Sequence, residues 1–134
     1  MDRQQARDAV AGARVARLAT RTRTGRIDLV PITYALDGDR LVTAVDHKPK
    51  TTTQLKRLDN IRANPEVSVL VDEYDDADWD RLWWVRLRGL ATIVDTDDRA
   101  RESLVAKYEP YRRQPPQGPV ITIDLVRWQW WSAT

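Results

Sequence analysis

The chain has 134 residues, 42% of them hydrophobic and 31% charged, with a net charge of +2 and a sequence pI near 9.1. That length suits one domain with one hydrophobic core, spanning residues 1–134, and the composition is that of a globular protein rather than a disordered tail. There is no cysteine and one histidine, His47, which excludes disulfides, thiolate chemistry and any metal site needing two imidazoles. A Ser-His-Asp hydrolase would rest wholly on His47, with no G-x-S-x-G elbow to support it. No apolar run is long enough to span a bilayer, and Met1 to Gln5 is polar, without a signal-peptide core, so a reducing cytoplasm and no membrane partner are expected.

Asp2 to Ala13 reads as a short helix capped by Asp2. Val15–Thr20 and Ile27–Leu36 have strand character and are joined by a polar turn carrying Gly25. Asp37-Gly38-Asp39 is a tight turn before a third strand, Arg40–Val45. The period then changes. Leu55, Leu58 and Ile61 recur three apart and predict a helix over Thr52–Ala63, which Asn64-Pro65 ends.

Val67, Val69 and Val71 alternate as a fourth strand, followed by an acidic loop over Asp72–Asp80. Trp83–Val94 is a long fifth strand in which Gly89 marks a bulge or a close approach. Thr96 is the expected cap of a helix over Asp97–Tyr108, and Pro110, Pro115, Pro116 and Pro119 place a loop after it. The sixth strand, Val120–Trp131, alternates through Val120, Thr122, Asp124, Val126, Trp128 and Trp130. Six strands, mostly in hairpins, with two or three short helices point to an α+β barrel.

Three features carry chemistry. Asp46-His47-Lys48-Pro49-Lys50-Thr51 leads into the second helix, and Thr51 with Gln54 has capping-box spacing. Lysines beside the positive end of a helix dipole make sense if an anion such as phosphate lies between them. A solvated basic loop before a well-capped helix fits the same residues, and His47 alone suits a structural role. Pro31 within a strand signals an edge or an interruption.

The six tryptophans are the third feature. Trp83 and Trp84 must face opposite sides of their strand, and Trp131 lies opposite Trp128 and Trp130. A dimer interface is the preferred reading, with aromatic packing at the barrel ends as the alternative. Arg86 and Arg88 share the Trp84 face, suited to cation–π contact or anion binding.

Ala16-Arg17-Leu18-Ala19-Thr20 and Gly25-Arg26 through Leu29-Val30-Pro31-Ile32-Thr33 resemble the first hairpin of the pyridoxamine-phosphate-oxidase-like split barrels. Asp46 to Thr52, Leu58-Asp59-Asn60-Ile61-Arg62-Ala63-Asn64-Pro65 and Arg81-Leu82-Trp83-Trp84-Val85-Arg86 look more narrowly like the F420-dependent actinobacterial branch. The resemblance runs from about Arg14 to Trp131. It implies a six-stranded split β-barrel and a homodimer with cofactor sites at the subunit interface.

By the same resemblance, the cofactor phosphate belongs to the segment holding His47, Lys48, Lys50 and Thr51. The tricyclic ring belongs against Val30, Pro31 and Ile32 and against Ala44, Val45 and Asp46. Arg57, Trp79, Trp84 and Arg88 are candidates for the opposite wall, some from the partner chain. The implied activity is hydride transfer between reduced coenzyme F420 and a small unsaturated or quinone-like substrate, with no catalytic side chain assigned. The alternatives are an FMN oxidase or reductase of the same superfamily and a non-catalytic F420 carrier. Against FMN, Leu29 to Thr33 is neutral. Against a nucleic-acid partner, the charge is nearly balanced and the Asp72–Asp80 stretch would repel a phosphate backbone.

Overall fold

The computed structural model describes residues 1–45 and 52–134, the side chains of 52–55 excepted. The chain runs through α1 (Arg3–Gly12), β1 (Ala16–Arg21), β2 (Ile27–Ile32), β3 (Ala35–Asp37), β4 (Arg40–Ala44), α2 (Thr52–Ala63) and β5 (Glu66–Glu73). A 3-10 turn (Trp79–Arg81), β6 (Trp83–Val94), α3 (Asp98–Lys107), α4 (Glu109–Arg113) and β7 (Val120–Ser132) follow. Asp2 caps α1 through a reciprocal pair: its carboxylate accepts from the Gln5 N–H, and the Gln5 side chain accepts from the Asp2 N–H, both at 2.8 Å. Gly25 and Gly38 take positive φ, 89° and 61°, at the two hairpin turns, where a side chain would be strained.

The fold is α+β, with one antiparallel sheet in the order β2-β1-β5-β6-β7-β4-β3. Its end strands, β2 and β3, are consecutive in the chain and joined only by Thr33 and Tyr34. Laid flat, seven strands would hold those ends about 29 Å apart. The link from Ile32 to Ala35 spans at most about 11 Å. The sheet must therefore roll up until its two edges approach, which makes it a barrel split along one seam.

The seam is also where the sequence reading needs correction. The single strand expected over Ile27–Leu36 is two, so there are seven strands rather than six. Thr33 and Tyr34 leave the ladder because side chains satisfy their backbone: the Thr43 hydroxyl donates to the Thr33 carbonyl at 2.7 Å, and the Tyr34 N–H donates to the Tyr108 hydroxyl at 3.1 Å. The Tyr34 ring is fully buried and its hydroxyl donates to the Val10 carbonyl. Pro31 stands opposite Arg17 on the terminal strand β2, where a missing donor is tolerated.

The barrel interior holds Leu18, Leu41, Val69, Val71, Val85, Leu87, Ile121 and Ile123, all essentially without solvent contact. Each such side chain contributes roughly 1.5–3 kcal/mol of burial. A second cluster packs Leu104, Ala100 and Tyr108 of α3 and its end onto Val42, Ala44 and Val120. Strand β4 is thus covered on both faces, which explains its unbroken apolar run Leu41-Val42.

Three further expectations change. The α3 cap is Asp97, not Thr96: its carboxylate accepts from the Ala100 N–H at 3.0 Å. The stretch around Pro110 is helical (α4), since proline is acceptable in a helix's first turn. And β7 does not alternate throughout. Arg88 pairs with Arg127 but Gly89 with Leu125, so Val126 is an extra residue. This bulge flips the strand's phase, putting Ile121, Ile123 and Leu125 on the core side before it and Trp128 and Trp130 after it. Gly89 permits the bulge, because a Cβ there would collide with the Asp124 carbonyl oxygen and lie 2.6 Å from the Ile123 Cγ2.

An ion lock fastens α3 to the β3–β4 hairpin. Arg40 donates to both Asp97 oxygens at 2.7 and 3.1 Å and to Asp37 at 2.9 Å, and Arg99 adds a bond to Asp37 at 2.7 Å. The Arg40 hydrogen bond and that from the Ala100 N–H hold the Asp97 carboxyl down at about 2. Arg40→Leu should lower stability at pH 7 by roughly 1–3 kcal/mol, since it takes the charged partner from half-buried Asp97 and leaves Asp37 with Arg99 alone. Because the folded Asp97 pKa is depressed, its share is present above about pH 4 and lost as pH falls towards 2. Denaturant melts of both proteins should accordingly converge in acid; a gap that persists at pH 2 would contradict this origin.

Candidate functional site

Helix α2 lies beside the seam, pinned by a buried polar residue. The Asn60 amide donates to the Thr20 hydroxyl at 3.0 Å and to Asp28 at 2.7 Å, and Lys56 stands 3.5 Å from the same carboxylate. The Asn60 bond is the main reason the Asp28 carboxyl sits below its usual range; partial burial opposes it and Lys56 assists. These bonds fix the rotation of α2 against the β1–β2 hairpin, and that rotation carries Arg57 to the seam.

Arg57 separates two hollows. One, about 310 Å³, is lined by Pro31, Ile32 and Thr33 from β2 and its exit, Thr43 and Ala44 from β4, and Tyr111 from α4. The other, about 400 Å³, is lined by Asp28, Leu29, Val30, Lys56 and Asn60 with Thr20. The Arg57 Nε is shielded from solvent and has no hydrogen-bond partner among the described residues. Burial alone pushes its pKa down. A shielded guanidinium N–H with no acceptor among the described residues is costly. Across the first hollow, the hydroxyls of Thr33 and Tyr111 are 3.0 Å apart.

Of the residues singled out from sequence, Val30, Pro31, Ile32, Ala44 and Arg57 come together around these two hollows. Val45 does not line them: its side chain is buried in the barrel core and its N–H donates to the Pro119 carbonyl at 2.9 Å. Asp46, His47, Lys48, Lys50 and Thr51 lie outside the described residues. Trp79 is on the 3-10 turn and 66% exposed. Trp84 faces outward on β6, under Arg86 at 5.5 Å, and shares a 340 Å³ hollow with Leu70, Leu82 and Trp131. Arg88 lines a different hollow beside Ser68 and Ile27. Within one chain these three are not part of the seam.

Thr33, Thr43, Asp28, Lys56, Asn60 and Tyr111 were missed. Asn60 had a visible signal, a polar residue directly before Ile61 on the helix's inner side. Tyr111 had none, because it reaches Thr33 across 78 positions of chain.

Residues 3–132 match the family described as pyridoxamine 5'-phosphate oxidase. The chain belongs to this family of FMN-binding split barrels. Among solved structures, a conserved hypothetical protein from Mycobacterium tuberculosis is 23% identical, with a TM-score of 0.79 over 99% of this chain and 86% of its own. A heme binding protein from Mycobacterium smegmatis is 22% identical, with a TM-score of 0.74 over 95% of this chain and 52% of its own. An FAD-binding protein from Mesorhizobium loti is 19% identical, with a TM-score of 0.67 over 97% of this chain and 93% of its own. At these identities the likeness speaks for the split-barrel fold alone. No curated protein matches the chain in sequence.

A half-buried charge with one shielded donor unmet among the described residues is a cost to the fold, so replacing it should relieve the protein. Arg57→Met is expected to leave the ligand-free protein as stable as the wild type or more stable by roughly 1 kcal/mol. Thermal melts check this; a loss of more than 1 kcal/mol would mean that Arg57 serves the fold.

Proposed function

We propose that the protein is an F420-dependent oxidoreductase acting on a small unsaturated or quinone-like substrate, with the deazaflavin ring seated in the seam between β2 and β4. The observation that carries this reading is Arg57, whose shielded Nε has no partner among the described residues and which forms a common wall of two hollows. Beside it, Pro31, Ile32 and Ala44 offer an apolar wall suited to a flat ring, in a hollow of about 310 Å³. Lys48, Lys50 and Thr51 are the proposed phosphate-binding residues, on the strength of their sequence pattern at the start of α2.

When bound, the reduced deazaflavin supplies a hydride. The chain's own part is to hold the ring, keep water from it through Pro31, Ile32 and Ala44, and place a donor, Arg57, against its polar atoms. The neutral run Leu29 to Thr33 favours F420 over FMN. Family membership keeps FMN as the second reading. We place the protein in the cytoplasm, consistent with its lack of cysteine; no helix among the described residues is long and apolar enough to cross a membrane.

The proposed assembly is a homodimer with the cofactor at its interface. Leu70, Trp84 and Trp131 form an outward apolar hollow on the sheet, Trp131 being 46% exposed, and Trp79, Trp84 and Arg88 are the residues a partner chain would bring. Leu70→Asp should therefore convert a dimer into a monomer in sedimentation velocity; a wild-type monomer, or an unaffected dimer, would reject this surface.

The cofactor is tested by parallel fluorescence titrations of the ligand-free protein with F420 and with FMN. Saturable binding of F420 is expected, at least about tenfold weaker in Arg57→Met, since a charge-assisted hydrogen bond is lost, and weaker also in Lys50→Ala. Preference for FMN would move the function to a flavin oxidase or reductase. Unchanged affinity in Arg57→Met would remove the seam as the site.

A further inference from the structure

Resting on the seam as the cofactor site, we infer that Tyr111, paired with Thr33, is the residue that reads the carbonyl edge of the bound ring. The two hydroxyls are 3.0 Å apart, and either oxygen can be the donor. Two hydroxyls carry two protons, and their mutual bond uses one. The second is left to donate, and both residues line the 310 Å³ hollow. The Thr43 hydroxyl spends its proton on the Thr33 carbonyl at 2.7 Å, and the Arg57 guanidinium adds donors only.

A largely polar hollow with one apolar stretch, Pro31, Ile32 and Ala44, and donors at Arg57 and Tyr111 suits a flat ligand that carries carbonyl oxygens on one edge. The pyrimidinedione edge shared by flavins and deazaflavins, with two carbonyl oxygens, has that character. The substrate is a poorer fit for this hydroxyl, because a space of about 310 Å³ suits one ring system and not two molecules.

The position of Tyr111 is fixed in advance of binding. Helix α4 follows directly on Tyr108, whose hydroxyl donates to the Arg14 carbonyl at 2.8 Å and accepts from the Tyr34 N–H at 3.1 Å. The Tyr111 N–H bonds the Tyr108 carbonyl at 3.1 Å, and the two rings meet edge to face, with centroids 5.7 Å apart. Lys107 packs its ammonium 3.9 Å from the centre of the Tyr34 ring and so closes the cluster from below. Five residues of helix are therefore tied to the buried seam link and hold one hydroxyl at the mouth of the hollow. Tyr111 is a positioning residue for the cofactor, and α4 is the element that sets which ring edge is accepted.

The test uses Tyr111→Phe, Thr33→Val and Thr33→Ser, each titrated with oxidised F420 and with FMN beside the wild type. Phenylalanine keeps the edge-to-face contact, so melting temperatures should not move. The affinity of Tyr111→Phe should fall about five- to tenfold, as expected for one lost neutral hydrogen bond. The long-wavelength absorption band of the bound cofactor should shift, because a donor has left its carbonyl. Thr33→Val should weaken binding less, and Thr33→Ser should restore both affinity and spectrum. Wild-type affinity and an unshifted spectrum in Tyr111→Phe would overturn the inference. If the wild type prefers FMN, the F420 reading fails alone, and a weakened FMN complex in Tyr111→Phe still supports the role of Tyr111. Binding of neither cofactor by the wild type overturns both.

Discussion

The two-residue link between β2 and β3 is the constraint on which the rest of the molecule depends. Thr33 and Tyr34 must carry the chain from one end of a seven-stranded sheet to the other, and nothing but a rolled sheet lets them. Closure along a hydrogen-bonded ladder would have left no site. Here the link passes between the edges, and its backbone groups are met by Thr43 and Tyr108 side chains. The seam remains open to the extent of a hollow, and α2 and α4 come to stand at its rim.

Polar groups in the interior sort into two kinds. Asn60 and Tyr34 are buried and fully used as ties between elements, fastening α2 to the first hairpin and the seam link to α1. A buried donor that finds its acceptor within the chain rigidifies the fold. Arg57 differs, because its Nε is just as shielded and ties nothing among the described residues. Lys107 Nζ is likewise without a hydrogen bond among the described residues but rests on the Tyr34 ring, whereas Arg57 Nε borders two hollows, which is why the proposed ligand is placed there. Tyr111 and Thr33 add a solvent-accessible pair of hydroxyls at the same rim, with one proton not used between them.

Much of this was legible in the sequence. The bounds Thr52–Ala63 and Trp83–Val94 follow from apolar period and from Asn64-Pro65, and the opposed faces of Trp83 and Trp84 follow from strand geometry. Gly89 announced the β6–β7 irregularity, but not that Val126 would be the extra residue, since a bulge changes phase on the partner strand. The break at Thr33–Tyr34 was hidden because both residues are good strand formers; only the barrel's closure makes them turn. Local signals also failed at Asp97, whose capping was masked by the adjacent Thr96, and at α4, where prolines read as loop. Of the residues around the two hollows, those of β2 and β4 and Arg57 were expected from the family resemblance. Tyr111 was not, because its contact with Thr33 exists only once α3 has docked.

The most direct measurement is a crystal structure of the protein grown with oxidised F420. The ring should lie in the seam, between Pro31 and Ala44, with Arg57 and Tyr111 within hydrogen-bonding distance of its polar edge. A ring seated instead on the outer face, against Trp84 and Trp131, would contradict the assignment of the seam.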